Sequence, residues 1–306
     1  MGKKPRILIV GGSGLLGVNW AFFARDEYQV VLALHQRGVS LKDIQTCHLT
    51  LDSTDNLVPQ IQAIKPDVII NAAGMTNVER CESDPDLAKV LNVDFAGNLA
   101  LACYRLAVPM VHISTDHLFS GELSLVDEIT TCCPINVYGQ TKAMGEVQVL
   151  SVNPNVLVIR TNFFGWGPSY RQSFSDLVIN GLRAENTLTL FEDVYFSPIH
   201  ISVLAKTVHD LINIQAKGIF NVVGDERISK KDFGLRLAQK FNLNTTLIEA
   251  GSIDDTKFLI RRPKDMSLSN QKTCTLLNRN MGNIDDQIRV LYKQERDGLI
   301  EEVRRL

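Results

Sequence analysis

The chain has 306 residues and a formal net charge of -2. That length exceeds one typical domain and can bury a large core, while the near-neutral balance gives no reason to expect nucleic acid or an anionic membrane surface as partner. The longest apolar runs, such as Val68–Ala73 and Val156–Ile159, are far too short to span a bilayer.

Met1–Arg6 is basic like the start of a leader, but Ile7–Val10 followed by glycines reads as a strand. From there short apolar runs alternate with amphipathic stretches, the pattern of βαβ units feeding a parallel sheet. Strands are predicted at Arg6–Val10, Val30–Leu34, Cys47–Leu51, Asp67–Asn71, Met110–Ser114 and Leu157–Arg160. Their continuous apolar character implies burial on both faces. Helices are predicted at Leu15–Arg25, Leu57–Ile64, Pro85–Leu106 and Val137–Leu150, with Ser83 or Asp84 capping the third and Pro85 suited to its first turn. The polar, turn-rich connection between Ser120 and Pro134 is long enough to be functional.

Beyond Arg160 the pattern is less regular. Ser173–Ala184, Ile201–Ile214, Ser229–Phe241 and Asp285–Leu306 read as helices, and Gly218–Val223 as a strand returning to the sheet. The expected fold class is α/β, a doubly wound parallel sheet (Rossmann fold) with a smaller interleaved C-terminal α/β substrate lobe. Residues 1–165 and 190–225 are assigned to the first, and residues 166–189 and 226–306 to the second.

Gly11-Gly12-Ser13-Gly14-Leu15-Leu16-Gly17 lies between the first strand and the first helix, where glycines let backbone N–H groups approach a pyrophosphate at the helix N-terminus. The second strand ends in His35-Gln36-Arg37, without the acid that usually binds an NAD ribose. Arg37 can pair with a 2′-phosphate, so NADPH is favoured and NADH is the lesser fit. Asp52 and Ser53 after the third strand suit an adenine edge. Ala72, Ala73 and Gly74 after the fourth leave room for backbone beside a cofactor.

The fifth strand ends in His112-Ile-Ser114-Thr115-Asp116-His117, at the end of an open sheet where ligands bind. A Ser114 or Thr115 hydroxyl there can hold a carbonyl oxygen. His112 reads as a packed strand residue, and His117 as more open, facing the 120–134 loop. Downstream, Tyr138 and Lys142 stand four apart on one helical face. A nearby ammonium is expected to lower the phenol's pKa, as a proton donor to a carbonyl requires. Six cysteines without C-x-x-C spacing read as reduced thiols of a cytoplasmic protein. No cluster of His, Cys or acids has metal-ligand spacing.

These motifs resemble the extended short-chain dehydrogenase/reductases, most closely the dTDP-4-dehydrorhamnose reductase family. The resemblance runs through the glycine loop, Asn71-Ala-Ala-Gly74, Leu91-Asn-Val-Asp-Phe-Ala-Gly-Asn98 and Ser114-Thr-Asp-His-Leu-Phe-Ser-Gly121. It continues through Pro134-Ile-Asn-Val-Tyr-Gly-Gln-Thr-Lys142, Arg160-Thr161 and Arg262-Pro263 with Ser267-Leu268. It implies hydride transfer from NADPH to C4 of a nucleotide-linked 4-keto-6-deoxy sugar, with Tyr138 as proton donor. It implies that Lys142 binds the nicotinamide ribose and that Thr115 holds the carbonyl oxygen. It also places Asp116, His117, Asn162, Phe163 and Arg262 around the sugar, and implies a homodimer. The family usually has Tyr at His117 and Trp at Phe163, and losing Trp removes apolar surface and an N–H donor. Two other readings follow from the same resemblance: an NAD-recycling sugar-nucleotide epimerase or dehydratase, and a non-catalytic NADP-binding subunit like that of methionine adenosyltransferase.

Overall fold

A computed structural model of the protein describes residues 4–256 and 260–306. The first three residues of the basic N-terminal stretch lie outside the described residues. The first half runs β1 (Arg6–Val10), α1 (Leu15–Ala24), β2 (Gln29–Leu34), β3 (Gln45–His48), α2 (Thr54–Ile64), β4 (Val68–Asn71) and α3 (Val78–Ser83). It continues with α4 (Pro85–Lys89), a π-helical turn (Val90–Asp94), α5 (Phe95–Arg105), β5 (Met110–Ile113) and α6 (Val137–Val152). Then come β6 (Leu157–Arg160), β7 (Phe163–Phe164), α7 (Phe174–Arg183), β8 (Leu188–Phe191), β9 (Tyr195–Phe196), β10 (Ile199–His200) and α8 (Ile201–Asn213). The chain ends with β11 (Gly218–Asn221), β12 (Ile228–Ser229), α9 (Lys230–Lys240), β13 (Ile248–Gly251), α10 (Gln271–Leu277), α11 (Ile284–Arg296) and α12 (Leu299–Arg304).

Seven strands form one sheet in the order β11-β6-β5-β4-β1-β2-β3, every pair parallel. The chain reverses its direction of winding between β1 and β4, which opens a crevice at the C-terminal strand ends. Both sheet faces are covered, as the apolar runs imply. Ile7 and Ile9 pack into the larger core with Trp20, Leu204 and Val208, whereas Leu8 and Val10 pack into the second with Leu57, Ala100 and Val158. Three two-stranded sheets, β10-β7, β12-β9 and β13-β8, lie outside the main sheet. Among the described residues no helix is long and apolar enough to cross a membrane.

Several boundaries differ from the sequence pattern. The third strand lies at Gln45–His48 rather than Cys47–Leu51, because it is an exposed edge and the Thr50 N–H leaves the ladder for the Gln60 side chain. Helix α2 starts three residues early, where Ser53 accepts from the Asn56 N–H. The predicted Pro85–Leu106 helix is α4, a π-turn and α5 in succession. The predicted Asp285–Leu306 helix breaks at Gly298, whose φ of 82° no right-handed helix accommodates.

Candidate active site

At the nucleotide end the glycine loop is built for close approach. Gly11 has φ 85°, and a Cβ there would stand 2.7 Å from the Ala73 nitrogen, so the loop lies directly on the β4 exit. Gly14 is the N-cap of α1, which has no side-chain cap and no acid in its first turn. The N–H groups of Leu15, Leu16 and Gly17 thus begin a helix whose positive end is not neutralised by its own side chains. Ala72 donates to Val10 O at 2.9 Å and Ala73 to Asn71 Oδ1 at 3.2 Å, which brings β1 and β4 together under the loop. These residues fit a dinucleotide pyrophosphate.

Arg37 is exposed at the end of β2, its guanidinium 4.0 Å from the centre of the Tyr170 ring. Tyr170 in turn donates its O–H to Ser13 O at 2.8 Å, so a loop far away in sequence joins Arg37 to the glycine loop. The next residue, Arg171, donates to Thr76 Oγ1 at 2.7 Å. Ser53 caps α2, and Asp52 accepts from the Asn56 amide at 3.0 Å.

The chemical end forms where β5 meets α6. Asn136 caps α6 by accepting from the Gly139 N–H at 2.9 Å, which puts Tyr138 in the first turn and Lys142 one turn on. Tyr138, Lys142 and Glu146 are all buried on one face. Lys142 donates to Ile113 O at 2.8 Å, and burial pushes its pKa down to about 8 against the pull of Glu146. The Tyr138 phenol moves the other way. Burial raises its pKa well above the usual tyrosine value, with the Thr115 side chain opposing and the Asp116 charge adding to the rise. The expected lowering by Lys142 is therefore not what the buried pair shows: desolvation of phenolate dominates over the opposing Thr115 and Arg171, and the ammonium is directed at the Ile113 carbonyl.

Behind this pair lies Asn92, in the π-turn. Its side chain accepts from the Met75 N–H at 2.8 Å and donates to Met75 O and Thr141 Oγ1, both at 3.0 Å. His112 is buried, as expected of a strand residue, and its Nδ1 lies 3.1 Å from the Asn71 amide. Ser114 is buried with its hydroxyl unpartnered, whereas Thr115 lies against the phenol.

Beside the phenol, Thr115 Oγ1 donates to Asp116 Oδ1 at 3.2 Å, and Asp116 Oδ2 accepts from the Asn162 amide at 2.5 Å. His117 is half-buried and meets the Tyr138 ring edge-on, with centroids 5.4 Å apart. Phe163 in β7 packs against the main core. Arg262 pairs with Glu79 of α3. Gly121, with φ 88°, backs onto this segment so closely that a Cβ would stand 2.7 Å from the Lys264 nitrogen. The Ser-Gly and Arg-Pro motifs thus pack against each other. Among the described residues no group of three or more His, Cys, Asp or Glu side chains could hold a metal ion.

The structure also adds groups that pattern reading missed. Asn92 carried no signal beyond its motif, and Tyr170 lies in a loop. Lys230 had one: with Lys231 it places two cations in the first turn of α9, against the preference of the positive helix end.

Comparisons with known proteins bear on the family and the fold. A family model described as the RmlD substrate binding domain matches residues 5–296. A dTDP-4-dehydrorhamnose reductase of Aggregatibacter actinomycetemcomitans is 30% identical over 280 residues, covering 86% of this chain and 90% of that protein. The probable low-salt glycan biosynthesis reductase Agl14 of Haloferax volcanii is 29% identical over 260 residues, covering 84% and 87%. Among solved structures, dTDP-4-dehydrorhamnose reductase of Bacillus anthracis, crystallised in complex with NADP, shares the fold with a TM-score of 0.83. It is 23% identical, with 95% of this chain and 99% of that one covered. The chain thus belongs to the RmlD substrate-binding domain family, within the extended short-chain dehydrogenase/reductases that its motifs resemble.

Proposed function

We propose that the protein is an NADPH-dependent reductase of a nucleotide-linked 4-keto-6-deoxy sugar. The observation that carries this reading is the convergence of Thr115, Tyr138 and Lys142 at the end of β5, on the same sheet edge as the glycine loop. A nicotinamide bound along that edge supplies the hydride for C4. Thr115 holds the carbonyl oxygen, and the Tyr138 O–H gives it a proton as the alkoxide forms. The raised pKa keeps that proton on the phenol until the alkoxide needs it. Lys142 binds the nicotinamide ribose and offsets charge on the phenolate that remains. The glycine loop with Leu15 and Leu16 binds the pyrophosphate, Arg37 the 2′-phosphate, Asp52 and Ser53 the adenine, and Ala72 to Gly74 line the groove. Substrate lies between the sheet and the lobe of residues 166–189 and 226–306, beside Asp116, His117, Asn162, Phe163 and Arg262.

Arg37 at the end of β2, where NAD-recycling epimerases favour an acid, supports reduction over epimerisation. NADPH oxidation measured across 4-keto sugar nucleotides is expected to show turnover, and Tyr138→Phe to cut kcat by about 10²-fold or more while NADPH still binds. Undiminished turnover in that variant would refute the mechanism. Inactivity across the panel together with a stable hetero-complex would favour the regulatory-subunit reading.

A further inference from the structure

Lys230 opens α9 directly after its Ser229 cap, and its ammonium rests 3.4 Å from the centre of the Phe196 ring and 4.7 Å from that of Phe174. Asp116 and His117 lie close enough for their charges to couple with it. Of the buried cations nearby, Lys142 gives one donor to Ile113 O and Arg160 is paired with Glu146. Among the described residues Lys230 Nζ has no hydrogen-bond acceptor and no ion pair, only the two rings. Lys230 is half-buried, so its three donors turn to solvent in the free protein, and a ligand that displaces that water must supply acceptors in its place.

We infer that Lys230 is a substrate-holding residue whose ammonium donates to a hydroxyl oxygen of the sugar beside the reacting carbonyl, opposite Asp116. The inference rests on the proposed sugar-nucleotide reading. A neutral, hydroxyl-bearing ring suits the pair, because one group donates and the other accepts. A phosphate would gain from Lys230 and be repelled by Asp116. Burial lowers the Lys230 pKa to about 8 while the Asp116 charge opposes the fall, so the side chain remains an ammonium near neutral pH. The position also explains why a lysine stands at a helix end that disfavours it.

The test is calorimetric titration of the NADP⁺-loaded protein with dTDP-L-rhamnose, UDP-glucose and GDP-mannose, each beside its nucleoside diphosphate alone. Lys230→Met keeps the apolar contact with the two rings and removes the donors. It is expected to weaken the best-bound sugar nucleotide about tenfold or more, as loss of a charged hydrogen bond does. Binding of the diphosphate alone and of NADP⁺ should be unchanged, the latter confirming the fold. In turnover KM should rise with kcat nearly constant, and Lys230→Arg should recover part of the affinity. Equal weakening of the diphosphate alone would move Lys230 to the phosphates and overturn the assignment, as would unchanged sugar-nucleotide binding. A native protein that binds none of the probes refutes the proposed function itself, before any substitution is made, and this assignment with it.

Discussion

Burial moves Tyr138 and Lys142 in opposite directions along the pH axis, because it penalises phenolate in one and ammonium in the other. The donor stays protonated through neutral and mildly alkaline pH, while Lys142 loses its charge near pH 8. Since its pKa in the fold lies below the ordinary 10.5, the ammonium is present below about 8 and absent above it. We expect kcat for reduction to be level at neutral pH and to fall as pH rises through about 8. Lys230 titrates in the same range, so the profile is best measured at saturating sugar nucleotide, where its effect on binding is suppressed. A kcat that rises through this range would show that Lys142 does not act as a cation. Residue identity and spacing were enough to nominate Tyr138 and Lys142. Their pKa values were not legible, because desolvation depends on what packs around them.

Helix α6 carries the site and is anchored by a buried ion pair. Glu146, one turn beyond Lys142, accepts from Arg160 of β6 at 2.8 and 3.0 Å, and both side chains are only 3% exposed. The Arg160 guanidinium also lies 5.6 Å from the Phe119 ring, tying the loop after β5 to the same point. Glu146→Ala leaves a buried guanidinium uncompensated, and is expected to lower stability by about 3–5 kcal/mol, measured by urea unfolding. A loss under 1 kcal/mol would mean that water reaches Arg160 in the variant. The helical face of Tyr138 and Lys142 was visible in the sequence as a spacing of four, and the structure added Glu146 to it. The π-turn around Asn92 was not visible, because one extra residue in a turn leaves the surrounding composition helical. Its reason is tertiary: the Asn92 side chain is held by Met75 and Thr141.

At the scale of the molecule, a group of phenylalanines ties together four elements outside the main sheet. Phe233 of α9 contacts Phe164 of β7, Phe196 of β9 and Phe174 of α7, with centroid distances of 5.1, 5.5 and 5.9 Å. Two of these rings hold Lys230. Phe233→Ala should cost about 3–5 kcal/mol in unfolding free energy, and should raise KM for the sugar nucleotide more than KM for NADPH. Equal effects on both would show that the cluster supports the whole sheet and not the substrate side in particular.

What the sequence determined by itself were features carried by neighbours in the chain: the βαβ alternation, the glycine loop opening α1, the strand end at Thr115 and the helical spacing of Tyr138 and Lys142. Apolar periodicity and glycine placement are local, so they survive without knowledge of the fold. Tertiary structure alone decided which distant residues complete the site. Tyr170 meets Arg37 and Ser13, Arg171 meets Thr76, Asn162 meets Asp116, and Lys230 lies near enough to Asp116 to feel its charge. None of these pairs shares a helix turn or a strand register. They are set by how the second half of the chain folds back over the C-terminal edge of the sheet, and so are the desolvation and charge that tune Tyr138, Lys142 and Lys230.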